Sequence, residues 1–564
     1  MNAIFLILFG AAAFVLGYLF YSRFLAEKIF KLDPNFVTPA HAQEDGVDYV
    51  PTRKVILWGH HFAAVAGAAP IVGPAIAVVW GWLPAFLWVT LGTVFFAGVH
   101  DFGALWMSVR NQGRSIGALT EDIVGQRARS IFMIVIFLLL LMVNAVFAVV
   151  ITNEHIAVPA SVIPTWAVIA VAMIVGYLVY RRGMSLFWVT AIGVTILYGM
   201  IWVGQIVPLS LPDSFLGLGA PAQWVVILFV YAGIASVLPV WLLLQPRDYI
   251  NGVQLFLGLG LLYAAVLLGS PTIVAPAFNP NPPADAPPLV PLLFVTIACG
   301  AISGFHGLVA SGTTSKQLNT EPDARVVGYL GSVGEGTLAL AAIVACSAGF
   351  ASFGEWQAFY TSFATNGTRA WSLGGAALMN QGFGMPLGIG ETLLAVMAIL
   401  FAATTMDAGV RLQRYIVQEW GQIYNIPALR GRTVSTLVAV GSCLLLAFGA
   451  GGGSGTGGMI IWPLFGTTNQ LLGALTLSVM TVFLIKLGRA IWVTVVPLTF
   501  LLVMTIPALV IQAIDFWEAG NWLLIFMDAL ILIASIAVAL EALSAVSKAR
   551  RERAAAVPAA QETA

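Results

Sequence analysis

The amino-acid sequence predicts an all-α polytopic membrane protein, and three observations support this fold class. The first is composition: 60% of the 564 residues are hydrophobic and only 9% are charged, with a mean hydropathy of +0.94. A soluble domain carries about 25% charged residues. The second is a series of fifteen long apolar runs, and the third is a regular alternation of cationic and cation-free segments between them. A soluble protein is therefore excluded.

Each apolar run is long enough to cross a bilayer as a helix. A hydrocarbon core of about 30 Å requires about 20 residues at 1.5 Å per residue. The predicted spans are 2–21, 55–79, 82–106, 131–152, 166–180, 184–207, 223–244, 252–269, 290–310, 326–350, 389–406, 434–448, 460–485, 491–511 and 521–540.

The distribution of Lys and Arg predicts the orientation of these spans. Cytoplasmic loops retain the cationic residues, whereas translocated loops largely lack them. Eight alternate segments contain 24 of the 25 Lys and Arg residues, and Arg369 is the exception. We therefore predict fifteen crossings with the N-terminus outside and the C-terminus inside. The multi-pass chain has no signal-peptide pattern at its start, since its charges follow the first apolar run.

Helix-breaking residues indicate where a binding site lies. The second span contains Pro70 and Pro74 between glycines, and the seventh contains a small-residue stretch closed by Pro239. An interrupted membrane helix leaves backbone groups for a ligand, and transporters commonly bind substrate there. These spans are five crossings apart, so they run in opposite directions. The spacing predicts a five-plus-five inverted repeat in which both broken helices meet at the centre.

This interpretation divides the chain into five regions. They are an N-terminal helix with a cytoplasmic loop (1–54), a first repeat unit (55–207), a second repeat unit (223–406), an interfacial helix with further membrane helices (407–543), and a disordered cytoplasmic tail (544–564). For the segment that begins at Asp407 we predict a helical Asp407–Arg411 pair, which is typical of an interfacial helix. The glycine-rich stretch 449–458 is predicted to be a hinge or tight turn.

A few ionisable residues lie within the apolar runs, where each charge costs at least about 2.5 kcal/mol on insertion scales. Most of them belong to the cytoplasmic half: His60, His61, His100, Asp101 and His306. If they converge, they form a set of groups suited to carrying a proton. No HExxH or CxxC spacing, nucleotide loop or catalytic motif is present, so we predict no metal, no cofactor and no enzyme activity. Zero net charge argues against nucleic acid as a partner.

Several longer motifs resemble the carbon starvation protein A (CstA) family. They are Gly46 to Thr52, Gly59 to Pro74, Leu238 to Tyr249, Ser311 to Gln317 and Ile461 to Gly466. The resemblance implies a bacterial inner-membrane nutrient transporter of the amino acid, polyamine and organocation superfamily. It implies proton-coupled uptake of pyruvate, or uptake of short peptides, and a fold with broken first and sixth core helices. The second, seventh and ninth spans would then be the first, sixth and eighth core helices.

The combined prediction is a secondary active transporter that works by alternating access. Predicted substrate-binding residues are His61, Gly67, Ala68, Gly73, Tyr231, Ser236, Gly304 and His306. Predicted residues for ion or proton coupling are His60, Asp101, Ser311, Thr313 and Thr314. Pyruvate or peptide as substrate and proton or sodium as coupling ion stay open, as does the oligomeric state. A membrane sensor of nutrients is the alternative of another class.

Overall fold

A computed structural model describes residues 1–562 except 47, 124, 240, 364–366, 452–454 and 456. The regular secondary structure of the described residues is helical, apart from one short β-hairpin. The first half contains α1 (Ala3–Ile29), α2 (Pro39–Ala42), α3 (Lys54–Val65), α4 (Ala69–Trp80), α5 (Trp82–Arg110), α6 (Ile116–Ile123), α7 (Gln126–Ala157), α8 (Pro159–Arg182), α9 (Leu186–Ile206), the strands β1 (Ser214–Phe215) and β2 (Leu218–Gly219), α10 (Ala220–Val237) and α11 (Leu244–Gly269).

The second half continues with helices only. They are α12 (Leu289–Thr296), α13 (Gly304–Gly312), α14 (Arg325–Ala348), α15 (Phe353–Phe359), α16 (Gly367–Phe383), α17 (Leu387–Ile423), α18 (Pro427–Arg430), α19 (Arg432–Gly449), α20 (Trp462–Lys486), α21 (Trp492–Glu518) and α22 (Trp522–Glu562).

The helical membrane fold predicted from composition is confirmed. Thirteen helices in the described part of the chain are long and apolar enough to cross a membrane. The pair α3 and α4 adds a further span, bent by 54°. The predicted span 290–310 corresponds to the short helices α12 and α13. The count of fifteen crossings and the N-terminus-out orientation remain predictions.

The first helix break is where the sequence predicts it. The helix α3 ends at Val65, and α4 begins at Ala69 with Pro70 in its first turn. A proline is tolerated there because the first N–H groups of a helix have no intrahelical partner. Pro74 lies inside α4 without interrupting it. The break therefore comprises residues 66–68.

The second break is not in the seventh span, as we expected, but in the ninth. The helix α10 is continuous from Ala220 to Val237 and ends before Pro239, so that proline follows a helix terminus. Helix structure is instead interrupted between Thr296 and Gly304. Gly300 lies in this interval with a φ of +91°, a conformation that favours glycine.

Side chains from neighbouring helices satisfy carbonyl groups at the second break. Trp88 Nε1 donates to Ile297 O at 3.1 Å, and Trp462 Nε1 donates to Thr296 O at 3.3 Å. Thr93 Oγ1 donates to Gly300 O at 3.0 Å. On the N-terminal side of α13, Asn469 Oδ1 accepts from the Phe305 N–H at 3.1 Å. The second break is thus bonded to both α5 and α20.

The segment between the predicted spans 326–350 and 389–406, which includes Arg369, contains α16. The hydropathy pattern did not indicate this helix. A Cβ added at Gly269, where α11 ends, would lie 3.1 Å from Gly382 Cα, so α16 and α11 are closely packed. At its other end a Cβ on Gly367 would lie 3.0 Å from Val72 O in α4. The helix therefore packs against α11 and, at its start, against α4 of the first broken helix.

Two other predicted features differ from the structure. Asp407 lies inside the continuous 37-residue helix α17 rather than on a separate interfacial helix. The C-terminal helix α22 extends to Glu562, although the sequence predicts disorder after residue 544. Part of the predicted glycine hinge, residues 452–454 and 456, lies outside the described residues, and the described helix α19 ends at its first glycine, Gly449.

Candidate functional site: two buried polar clusters beside the broken helices

The two helix breaks meet inside the bundle. A Cβ added at Gly73 in α4 would lie 2.6 Å from Thr296 O, the last residue of α12. One added at Gly300 would lie 3.4 Å from the Cβ of Pro70. Because Gly73 has no side chain, the backbone of α4 can approach Thr296 this closely. The crossing therefore lies next to the interrupted segments 66–68 and 297–303.

A group that we term the histidine cluster lies beside this crossing, and all of its side chains are buried. It consists of His61, His100, Asp101, His306, Ser332 and Glu335. The sequence places His60, His61, His100, Asp101 and His306 in the same half of the membrane and leaves open whether they converge. His100 and His306 bond to Asp101, and His61 lies beside them, since a Cβ added at Gly331, next to Ser332, would lie 2.6 Å from its ring. Among the described residues His60 makes no hydrogen bond to this group.

Asp101 is at the centre of the histidine cluster. Its Oδ1 lies 2.7 Å from His100 Nδ1, and its Oδ2 lies 2.7 Å from His306 Nδ1. The Ser332 hydroxyl donates to the same Oδ2 at 2.6 Å. A buried carboxylate requires such donors because desolvation otherwise makes its charge costly. Asp101 is therefore held by three side chains from three helices.

Glu335 and His61 extend the cluster toward the helix breaks. Glu335 Oε2 lies 3.2 Å from His306 Nε2, while its Oε1 is buried without a hydrogen-bond partner in the described structure. His61 Nδ1 lies 2.9 Å from Thr314 Oγ1, and its Nε2 also has no partner among the described residues. Histidine and carboxyl side chains can each bind and release a proton. The cluster thus has the groups for accepting and passing a proton.

The other predicted site residues fall into two sets. Gly67, Ala68, Gly73 and Gly304 lie at or beside the two breaks. Three predicted hydroxyl groups bond to their own helix instead: Ser236 donates to Gly233 O, Ser311 to Gly307 O and Thr313 to Val309 O. Thr313 is also exposed. Of the predicted coupling hydroxyls, only Thr314 contacts the histidine cluster in the described structure.

A second group, which we term the arginine cluster, contains Tyr231, Arg247, Asp248 and Asp407. Arg247 Nη1 donates to the Tyr231 hydroxyl at 2.6 Å and forms an ion pair with Asp407. The Tyr231 hydroxyl in turn donates to Asp407 Oδ2 at 2.8 Å. The predicted Asp407–Arg411 pair is wrong, because Arg411 donates to the carbonyl groups of Ala235 and Leu238.

Sequence reasoning missed this cluster except for Tyr231. Arg247 follows the seventh span and was counted as a cytoplasmic cation, yet its side chain is only 1% exposed. The partner carboxylate is 160 residues away in the sequence. A signal was nevertheless present, since Asp407 follows a long apolar run without interruption, and an acid at such a depth needs a partner.

Comparison with known proteins identifies the family. The family model for carbon starvation protein CstA matches residues 2–358 and 351–508. The chain belongs to the CstA family. The peptide transporter CstA of Campylobacter jejuni is 35% identical, covering 92% of this chain and 82% of that protein. The pyruvate/proton symporter BtsT of Escherichia coli is 32% identical, covering 90% of this chain and 81% of that protein.

A solved structure of low sequence identity aligns along most of the chain. It is a mutant of the manganese transporter of Eremococcus coleocola, which covers 88% of this chain and 96% of its own, with 13% identity and a TM-score of 0.44. The CstA-family relatives and the apolar helices together establish a multi-pass inner-membrane protein. Both polar clusters therefore lie in a protein whose family relatives are named transporters.

Proposed function

We propose that this protein imports a small carboxylate, with pyruvate as the first candidate, together with a proton and without chemical conversion of the solute. One observation carries the proposal: buried His306 lies between two buried carboxyl groups, Asp101 and Glu335, next to the crossing of the broken helices. Binding of one proton to this group of three side chains changes its net charge by one unit. Similarity to the pyruvate/proton symporter BtsT supports the same coupling ion.

Helix packing supports an inverted repeat, but with a different division from the one predicted. In this proposal the first unit comprises α3 to α5, α7, α10 and α11, and the second comprises α12 to α14, α17, α19 and α20. Corresponding helices make corresponding contacts: α11 packs on α3 and α17, while α20 packs on α12 and α7. The helices α8 and α9 are then an insertion in the first unit.

Two repeats of opposite direction give the protein two related conformations, one open to each side. Substrate binds where the interrupted segments meet, since backbone N–H groups at the start of α4 and α13 favour an anion. In the proposal Gly67, Ala68, Gly73 and Gly304 supply close backbone approach, and His61 and His306 supply side-chain donors. Asp101 and Thr314 serve proton coupling. His60, Ser236, Ser311 and Thr313 are left out because of the contacts described above.

Peptide uptake is the second candidate, and a specific observation favours it. A peptide needs an acidic partner for its amino terminus. Buried Glu335 has an oxygen without a partner in the described structure, which provides such a group. The relative from Campylobacter jejuni is named a peptide transporter.

Transport by purified protein in proteoliposomes tests the proposal. We expect labelled pyruvate to accumulate when an inward proton gradient is imposed and not with a sodium gradient alone. H306Q should abolish accumulation, whereas H41Q should retain it, because His41 is exposed and bonds to Asn319 outside the cluster. Unlabelled dipeptide should not compete.

Three outcomes would contradict parts of the proposal. Dipeptide uptake without pyruvate uptake would establish the peptide alternative. Accumulation driven by sodium alone would replace the proton as coupling ion. Flux that never exceeds equilibrium in any gradient would exclude coupled transport.

A further inference from the structure

Helix α11 carries a buried arginine, Arg247, and the histidine cluster does not explain why it is there. Arg247 and Asp407 are each at most 2% exposed, and burying such a pair requires several kcal/mol of desolvation per ion. An apolar pair of the same size often stabilises a fold equally well. A membrane arginine with this burial is therefore a candidate for function rather than for stability alone.

The arginine cluster also has unused bonding capacity. Arg247 Nε, Asp407 Oδ1 and Asp248 Oδ1 are buried without a hydrogen-bond partner among the described residues. A guanidinium has five N–H donors and binds a carboxylate with two of them side by side. The Arg247 guanidinium lies near the carboxyl groups of Asp407 and Asp248. Each of these carboxyl groups has one oxygen without a hydrogen-bond partner among the described residues.

The cluster is next to the first helix break, on three helices, α10, α11 and α17, that carry none of the histidine cluster. Asn251, one turn beyond Arg247, donates to Thr404 Oγ1 at 2.6 Å. The next residue, Thr405, reaches the break itself, since a Cβ added at Gly67 would lie 3.0 Å from its Oγ1. Asp407 follows two residues later on the same helix. Helix α11 also runs antiparallel to α3, since Phe256 packs on Trp58 and a Cβ added at Gly252 would lie 3.3 Å from the Cβ of Ala63. Arg247, five residues before Gly252, therefore lies at the level of the break at residues 66–68.

We infer that Arg247 binds the carboxylate of the transported solute, and that Asp407 occupies this position when no solute is present. The arriving carboxylate replaces that of Asp407 on the guanidinium, and the Tyr231 hydroxyl donates to whichever carboxylate is bound. The inference rests on the proposed function and deepens it. Pyruvate and the C-terminus of a short peptide share this chemistry, so the inference holds for either substrate.

A purely structural ion pair and a binding arginine make different predictions. If the pair only stabilises the fold, removing both charges together should leave solute binding unchanged. If Arg247 binds the solute, removing both charges should abolish binding although the fold persists. The double variant R247Q/D407N separates these cases because it removes both members of the ion pair together.

The test is equilibrium binding of labelled pyruvate, and of a labelled dipeptide, to purified full-length protein in lipid nanodiscs. Wild type should bind one or both, and pyruvamide, the neutral analogue, should not displace them. D407N should bind about tenfold more tightly because the competing carboxylate is gone. R247Q/D407N should bind at least a hundredfold more weakly, and R247K at least tenfold more weakly.

The matched control is R369Q/E391Q, which removes another ion pair between two helices, α16 and α17. It should bind like wild type. Binding by R247Q/D407N within threefold of wild type would overturn the inference, as would equal displacement by pyruvamide. Equilibrium binding requires no gradient, so loss of proton-driven accumulation in proteoliposomes with normal binding would contradict the proposed function alone.

Discussion

The two polar clusters flank the same broken helix but differ in the kind of charge they hold. The histidine cluster contains three imidazoles and two carboxyl groups, which are side chains that exist with or without a bound proton. The arginine cluster is built on a guanidinium, which stays charged at any physiological pH. A group that titrates suits proton movement, whereas a fixed charge suits an anionic solute. We therefore expect the histidine cluster to serve proton coupling and the arginine cluster to bind the solute.

The largest expected effect is that of D101N. The new amide would place a donor where three donors now converge, so the histidine cluster would lose its central acceptor. We expect proton-driven accumulation to fall at least a hundredfold, while exchange of labelled for unlabelled solute continues. Comparing the two assays on one proteoliposome preparation checks this. The control is D122N, at an exposed ion pair, and equal loss of exchange in D101N would remove the distinction between the clusters.

E335Q should give a smaller effect in the same direction. The substitution keeps the shape of the side chain and removes the charge that faces His306. Accumulation should fall about tenfold, with equilibrium solute binding within threefold of wild type. D407N has the opposite profile, with tighter binding. If E335Q weakened binding of a dipeptide but not of pyruvate, Glu335 would be assigned to the peptide amino terminus instead.

Y231F tests the arginine cluster more gently. It removes the hydroxyl that bonds both Arg247 and Asp407, and a buried hydrogen bond contributes about 0.5–1.5 kcal/mol. Solute binding should weaken by about two- to tenfold, as measured by displacement in nanodiscs. Y263F is the control, since Tyr263 donates to the carbonyl of Thr337 away from this cluster. An unchanged affinity in Y231F would argue that the solute does not contact this side of the break.

The smallest effect separates two adjacent threonines. T314V removes the bond to His61 Nδ1 and should lower proton-driven accumulation about threefold. T313V should have no effect, because Thr313 is exposed and bonds only to its own helix in the described structure. Initial uptake rates of the two variants provide the measurement. Equal losses would return Thr313 to the coupling site that the sequence predicted.

Much of the fold could be predicted because it follows from local composition. Apolar length predicts the spans, and Pro70 predicts the first break because its ring cannot continue a helix from the preceding turn. The second break contains no proline within 297–303, and its single glycine, Gly300, is equally compatible with close packing. Pro239 misled the prediction since it lies just past a helix end, where proline is common.

The candidate site was predictable only where residues share a recognisable type. Buried histidines in an apolar chain are few, so His61, His100 and His306 could be selected without knowing their contacts. Arg247 and Asp407 each look like a residue near a membrane boundary, and only the packing of α11 on α17 places them together. Helix α16 was missed because its 17 residues include Arg369 and other polar groups, which lower its hydropathy.

The side-chain hydrogen bonds to the backbone around the second break restrict how this segment can move. Trp88, Thr93, Trp462 and Asn469 bond this segment to α5 and α20. Pulling it away from these helices would break four hydrogen bonds, at about 0.5–1.5 kcal/mol each. We therefore expect α12, α13, α5 and α20 to move as one rigid body during the transport cycle. The first broken helix would then swing against that body, carrying His61 past a stationary His306.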